Sequence, residues 1–426
     1  MVARLLAPPA KTDKLSRTCS TWMEYMSAST QDFDAEKFIT LQTEEIKRAL
    51  GKERAIIAVS GGVDSTTCAA LTRRAIGKNL ECMFIDTGFM RRGEPERVKK
   101  NLAKAPLRLP LRIIRAQKRF MDNLQGLADA EDKRKAFREI FYSALAEAAR
   151  KEGCKWLVQG TIAADLIETE SGIKTQHNVL SQIGIDPKEK YGFKVVEPLA
   201  TIYKPQVRIL SRILGFPEET SERQPFPGPG LMVRCVAAVS KARLKSLKIA
   251  TDIVEKGLKD LGAQQYFAVV IDNDPSGGSE AEDLKAVSDM LGQNETTKIK
   301  TLPNLATGIS GGRRTYGKIA AIQVPPISKS QVEKMFVKSH SICKDVLAAN
   351  PAYSRLLFEI KRLPRSRSYA AVIRAIKTVD FMTAEAPVIP WKVLDRVSSK
   401  ILVECRNVSS VYYDLTPKPP ATIEFE

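Results

Sequence analysis

The chain has 426 residues, 43% of them hydrophobic and 27% charged, which is enough for two domains with cores and a tail. No stretch approaches the roughly 18 apolar residues of a membrane span, and seven scattered cysteines, odd in number and without a C-x-x-C pair, argue against a disulfide framework or a zinc site and for reduced thiols in a cytoplasmic setting. The net charge of +18 admits a nucleic acid, small polyanions or simple solubility; with no aromatic RNP-type segment and no long basic arm, nucleic acid is the least favoured.

In chain order, residues 1–35 read as an N-terminal extension without fixed structure. Within the first 20 residues Arg4, Lys11, Lys14 and Arg17 stand against Asp13 alone, and Leu5–Ala7 is too short for a secretory signal. From Glu36 the text alternates. A helical stretch over Lys37–Leu50 precedes an apolar run, Arg54–Val59, that reads as a buried strand. A Gly-rich turn, a helix near Ser65–Ile76 and a strand at Cys82–Asp86 follow. Further strands are expected at Leu111–Ala116, Trp156–Gln159 and Val195–Pro198, and a charged helix at Ala130–Lys151. Short apolar runs separated by helices imply right-handed βαβ units and a doubly wound parallel sheet, an α/β fold.

The Pro/Gly-rich stretch Gln224–Gly230 precedes a second domain, with a helix over about Lys241–Leu261, a strand at Tyr266–Ile271 and a helix around Gln331–Leu347. Residues 329–367 hold nine Lys or Arg against three acidic residues. Arg314–Ile322 and Arg367–Ile376 resemble one another, but one such pair does not establish a repeat.

The strongest local signal is Ser60-Gly61-Gly62-Val63-Asp64-Ser65, between a strand and a helix. Two glycines let backbone approach an anion, and the amides at a helix start, with the positive end of its dipole, cradle phosphate oxygens. The spacing and the lysine of a Walker A loop are missing. An ordinary strand-to-helix turn would account for the glycines alone.

The six-residue string resembles the PP-loop of the ATP pyrophosphatases, and other strings resemble the GMP synthases among them: Phe84–Arg91, Gln159–Ile162 with Asp165 and Ile167-Glu168, His177–Val179, Arg223–Leu231 and Lys418–Glu426. The resemblance runs from about residue 36 to the last residue. It implies a PP-loop domain over 36–235, then a smaller α+β domain over 236–426 that dimerises and binds XMP, with a basic insert at about 324–366. It implies amination of XMP to GMP: ATP·Mg²⁺ adenylylates the O2 oxygen, pyrophosphate leaves, and ammonia expels AMP from C2. Ser60–Ser65, Ile85, Gly160 and Thr161 would hold ATP. Asp64 would position Mg²⁺, and Asp64, Lys174, His177 and Lys204 would serve catalysis. Asp165, Glu168, Arg223, Arg314, Tyr316, Lys418, Thr422, Ile423 and Glu424 would hold XMP, with 165–182 as a lid. With two histidines and no G-x-C-x-G string, the chain lacks a glutaminase, so ammonia is expected from a separate glutaminase chain or from solution.

The pattern also breaks. Pro205-Gln206 stands where two acidic residues are usual, and Gly312 where an Asp commonly precedes the Arg. Leu180-Ser181 replaces two lid glycines. These departures leave a second reading, adenylylation of another purine or carbonyl acceptor, and the basic insert leaves a third, an RNA-binding or tRNA-modifying protein.

Overall fold

A computed structural model describes residues 33–170, 184–217, 224–273, 279, 280, 284, 297–311, 313–364, 367–378 and 383–426. Most of the 1–35 extension lies outside them, as do Lys174, His177 and Arg223 and all but the start of the 165–182 lid. The chain forms two compact units. One gathers the described residues of Met1–Ile85, Pro95–Ile114 and Tyr142–Arg223; the other gathers Asp86–Glu94, Arg115–Phe141 and the described residues of Gln224–Glu426. This differs from a single cut at residue 235, because the second unit takes in two earlier segments.

In the first unit, Asp34 accepts from the Lys37 amide at 2.9 Å and starts α1 (Ala35–Leu50), whose Ala35, Ile39, Ile46 and Leu50 recur on one buried face. The apolar β1 (Arg54–Ala58) then enters the middle of a sheet, followed by α2 (Val63–Ile76), β2 (Leu80–Asp86), α3 (Glu94–Ala103), β3 (Leu111–Arg115) and α4 (Gln117–Leu124). Next come α5 (Ala130–Lys151), β4 (Cys154–Val158), α6 (Ala163–Glu170), α7 (Pro187–Tyr191), β5 (Lys194–Val196) and α8 (Lys204–Ile213). Of these, α4 and the first half of α5 count with the second unit. The strand order is β3-β2-β1-β4-β5, and the β1–β2, β1–β4 and β4–β5 pairings are parallel. The order reverses between β1 and β4, so the turns leaving these two strands diverge and open a crevice at their carboxyl ends.

The second unit adds a 3₁₀ turn (Gly230–Arg234), α9 (Lys241–Gly257), β6 (Gln265–Asp272), β7 (Ser279–Glu280), β8 (Lys298–Ser310), β9 (Arg313–Gln323), α10 (Lys329–Ala349), β10 (Tyr353–Arg362), β11 (Tyr369–Ile376), α11 (Trp391–Glu404) and β12 (Val408–Asp414). Its seven-stranded mixed sheet runs β6-β11-β12-β10-β9-β8-β7. Two parallel crossovers, β9-α10-β10 and β11-α11-β12, meet at the antiparallel β10–β12 pair, and β8 and β6 flank them antiparallel to β9 and β11. The two similar sequence segments therefore lie on β9 and β11, the opening strands of matching crossovers. The expected insert is α10 with β10, and β10 lies near the middle of the sheet with its first eight residues buried. One face supplies the core through alternate residues such as Phe267, Val269 and Ile271, or Ile319 and Ala321.

The Pro/Gly-rich stretch is part of the second unit. Gln224 accepts from the Tyr266 amide at 3.0 Å, the Leu231 amide donates to Phe89 at 2.7 Å, and the Arg91 guanidinium lies 4.1 Å from the Phe226 ring centroid.

Candidate active site

The first unit builds its site from backbone. Gly61 has φ +79°, and a Cβ there would lie 2.5 Å from Val98 Cγ2, so only glycine takes this turn without displacing α3. The Ser60 and Ser65 hydroxyls lie 3.0 Å apart, the Ser60 amide donates to Ser65 Oγ at 3.2 Å, and the Gly62 amide donates to Ser60 Oγ at 3.3 Å. Gly62 is the N-cap of α2 and has no side chain to accept from the first-turn amides, which leaves the positive end of a 14-residue helix facing the crevice. On the other side, a Cβ on Gly160 would lie 3.0 Å from the Ser65 amide nitrogen, so glycine lets the end of β4 close on the loop. Thr161 donates to Glu197 at 2.6 Å; burial pushes the Glu197 carboxyl above its ordinary range, although this bond opposes the shift. Ile85 is buried on β2.

Lys204, the first residue of α8, reaches Asp64 Oδ2 with its Nζ at 2.5 Å. A cation at a helix N-terminus opposes the dipole, so this ammonium is held there by Asp64. The Asp64 Oδ1 atom is buried and has no hydrogen-bond partner among the described residues. A carboxylate oxygen held unpartnered beside an amide cradle fits Mg²⁺, which takes one or two protein carboxylates and completes its shell with phosphate and water. No cluster of three His, Cys, Asp or Glu suited to a metal occurs among the described residues. Pro205-Gln206, the departure from the family pattern, has a local cause: Pro suits the first turn of α8, and Gln206 accepts from the Tyr203 amide at 2.8 Å to close a capping box. Asp165 belongs to this unit and accepts from the Ile162 amide at 3.1 Å. The Glu168 side chain lies outside the description.

The second unit builds a different kind of site from guanidinium groups. Arg134 Nη1 at 2.6 Å, the Tyr316 hydroxyl at 2.7 Å and Arg314 Nη1 at 3.5 Å converge on one oxygen of Glu131, and Arg134 also reaches the Tyr316 oxygen at 2.9 Å. Burial lowers the Arg314 pKa and raises that of Tyr316, which keeps the phenol protonated as a donor. The Arg134 side chain is 2% exposed, and its Nε and Nη2 have no partner among the described residues.

The Lys418–Glu426 segment lies against β8. The Ile309 amide donates to Pro420 at 2.7 Å, the Thr307 and Thr422 hydroxyls are 2.5 Å apart, and Gly308 bridges Ala421; Thr307, Gly308 and Ile309 pair with Tyr316, Thr315 and Arg314 on β9. Residues 307–309 of β8 thus pair with both the segment and β9. The Glu424 carboxylate takes a two-pronged bond from Arg234 at 2.7 and 2.8 Å, so its side chain anchors the segment. Lys133 pairs with Glu426 and donates to the Cys235 and Ala237 carbonyls at 3.0 and 2.9 Å; burial lowers the lysine and pushes the Glu426 carboxyl up to about 7. His340 is edge-on to Phe336, and burial lowers its pKa, so it packs as a neutral ring.

Glu131, Lys133, Arg134 and Arg234 were not singled out in the sequence. Lys133-Arg134-Lys135 near the start of α5, where the dipole disfavours cations, was an available signal.

Residues 35–216 match the PP-loop domain family and residues 358–425 the GMP synthase C terminal domain family. Among curated relatives, one of the subunits of the glutamine-hydrolyzing GMP synthase of Sulfurisphaera tokodaii is 41% identical over 396 residues, spanning 92% of this chain and 100% of its own length. The corresponding GMP synthase chains of Saccharolobus islandicus and Methanopyrus kandleri are 42% and 37% identical, with the same two coverages.

Proposed function

The chain belongs to the GMP synthase family, and from that membership we infer an AMP-forming ligase that aminates XMP to GMP with ATP. The observation that carries the reading is the site of the first unit: an amide-lined loop at the strand-order reversal, with Asp64 Oδ1 held unpartnered beside it. A loop of this kind stabilises charge gathering on departing pyrophosphate, so the α-phosphorus becomes the electrophile.

In the proposed mechanism, Ser60–Ser65 with Gly160 and Thr161 grip the β,γ-phosphates, and Lys204 neutralises phosphate charge while holding Asp64 in place. Mg²⁺, bound through Asp64, would supply further charge neutralisation on the phosphates. Arg314, Tyr316, Lys418, Thr422 and Ile423 receive the XMP phosphate together with Arg134, which the convergence on Glu131 adds to the set. Glu424 orients the segment through Arg234. A phosphate dianion matches the two guanidinium charges better than one carboxylate, so XMP competes with Glu131 for them. Asp165, Glu168, Lys174, His177 and Arg223 stay assigned to the reacting base by family pattern. Adenylylation of the XMP O2 oxygen turns it into a leaving group, ammonia adds at C2, and AMP departs. No protein nucleophile is required, because positioning and charge stabilisation lower the barrier.

Ammonia is proposed to come from a separate glutaminase chain, and the second unit to form a homodimer. No described helix is long and apolar enough to cross a membrane. The six described cysteines are buried free thiols, in keeping with a cytoplasmic assignment.

The test is incubation of purified protein with ATP, Mg²⁺, XMP and ammonium. GMP and pyrophosphate should appear in equal amounts. Pyrophosphate without GMP, or no dependence on XMP, overturns the reading.

A further inference from the structure

The basic insert places one side chain under the Lys418–Glu426 segment. Arg355 on β10 is fully buried. Its Nη2 donates to Thr422 Oγ1 at 3.1 Å, to the Glu424 carbonyl at 2.7 Å and to the Thr307 carbonyl at 3.2 Å. Its Nη1 lies 3.1 Å from Asp414 Oδ2, and the guanidinium carbon lies 4.3 Å from the Phe425 ring centroid. One planar group thus holds the chain on both sides of Ile423.

Asp414 is shared. Arg374 Nη1 also lies 3.1 Å from Asp414 Oδ2, and Arg374 donates to the Thr416 carbonyl at 2.5 Å and the Thr422 carbonyl at 3.3 Å. All three side chains are 0% exposed. Two buried cations against one buried anion leave an excess positive charge beneath Thr422–Glu424, an arrangement that is costly unless an anion comes close.

We propose that Arg355 is a positioning residue for XMP: from β10 it holds Thr422–Glu424 in its phosphate-receiving shape and sets a positive potential beneath it. The proposal rests on the reading of Lys418–Glu426 as part of the XMP phosphate site. It also explains why a charge sits in the apolar run Tyr353–Ile360, where a hydrophobic residue would pack at lower desolvation cost.

The experiment compares Arg355→Met, Arg355→Lys and a packing control, Phe336→Leu on α10, in the full-length chain with ammonium as nitrogen donor. Arg355→Met keeps side-chain length and leaves Asp414 paired with Arg374. The XMP KM should rise about tenfold for Arg355→Met, as expected for losing charge-assisted hydrogen bonds that shape a site. The ATP KM should stay within about twofold, and Arg355→Lys should fall between parent and Met. Phe336→Leu should lower the thermal midpoint without moving the XMP KM. An unchanged XMP KM in Arg355→Met, or XMP and ATP KM values that rise together, overturns the proposal. Lys418→Ala and Thr422→Val separate the two levels. If they raise the XMP KM and Arg355→Met does not, only the positioning role fails; if none of them does, the phosphate-site reading fails as well.

Discussion

The two proposed anion sites are built from different materials. In the first unit, a six-residue loop presents amides, two hydroxyls and one carboxylate, and glycine at Gly61 and Gly160 makes the space. In the second, guanidinium groups from α5, β9, β10 and β11 gather around internal carboxylates, Glu131 and Asp414. Peptide dipoles need no counterion, so the loop can stand open to a phosphate. Buried guanidinium groups do need one, and the protein supplies its own, which a phosphate ligand would have to replace or outbid. A backbone site is therefore preorganised by turn geometry, and a side-chain site is tuned by charge balance.

That contrast can be broken by four measurements. The largest effect should come from Asp64→Asn. Without a charged oxygen for the metal and a partner for Lys204, pyrophosphate release should fall by on the order of a hundredfold or more, with the XMP KM nearly unchanged. Activity within a few-fold of the parent would remove Asp64 from the mechanism. Arg134→Ala should raise the XMP KM by roughly tenfold to a hundredfold and leave ATP binding alone, as removal of a buried charge-assisted donor does; equal effects on both substrates would refute a phosphate role.

Glu131→Gln probes the internal counterion. Its amide carries no charge to compete with phosphate, so the XMP KM should fall about two- to fivefold. A rise would mean that Glu131 orders the cations for the substrate instead of competing with it.

The smallest effect concerns pH. Burial raises the folded-state pKa of Glu426 to about 7. Between the ordinary carboxylate range and about 7 the folded protein therefore binds more protons than the unfolded chain, and stability from this group falls as pH rises through that window. Below the window both states are protonated, and the group contributes no pH dependence. Glu426→Gln should flatten that part of the profile by a few degrees of thermal midpoint between about pH 5 and pH 7. A variant profile parallel to the parent's would show that the carboxyl does not titrate there.

Legibility followed the same division. The strand-loop-helix around Ser60–Ser65 was readable because its information is local: an apolar run, two glycines and a helix start lie within a dozen residues. The helix at Ala130–Lys151 was readable to the residue. The long strands β8 to β12 were not anticipated; in β10 and β11 the apolar run is broken by Arg355 and Arg374, which look like surface residues until their partners are known. A charge inside an apolar run, as in Leu231-Met232-Val233-Arg234 or Val372-Ile373-Arg374-Ala375, is the signal that could have flagged the network.

By itself, the amino-acid sequence determined the βαβ alternation, the glycine-rich turn between strand and helix, and the strings, Lys418–Glu426 among them, that point to the family. Each depends on neighbours along the chain, where backbone geometry and periodicity act. Only tertiary structure decided that the segment expected as a basic insert ends in an interior strand, that Arg134 and Arg314 face one carboxylate, and that Arg355 lies under Thr422 and Glu424. Apart from Arg134 with Glu131, three residues away on α5, those pairings join residues tens to nearly two hundred positions apart, and assembly of the second unit selects the partners.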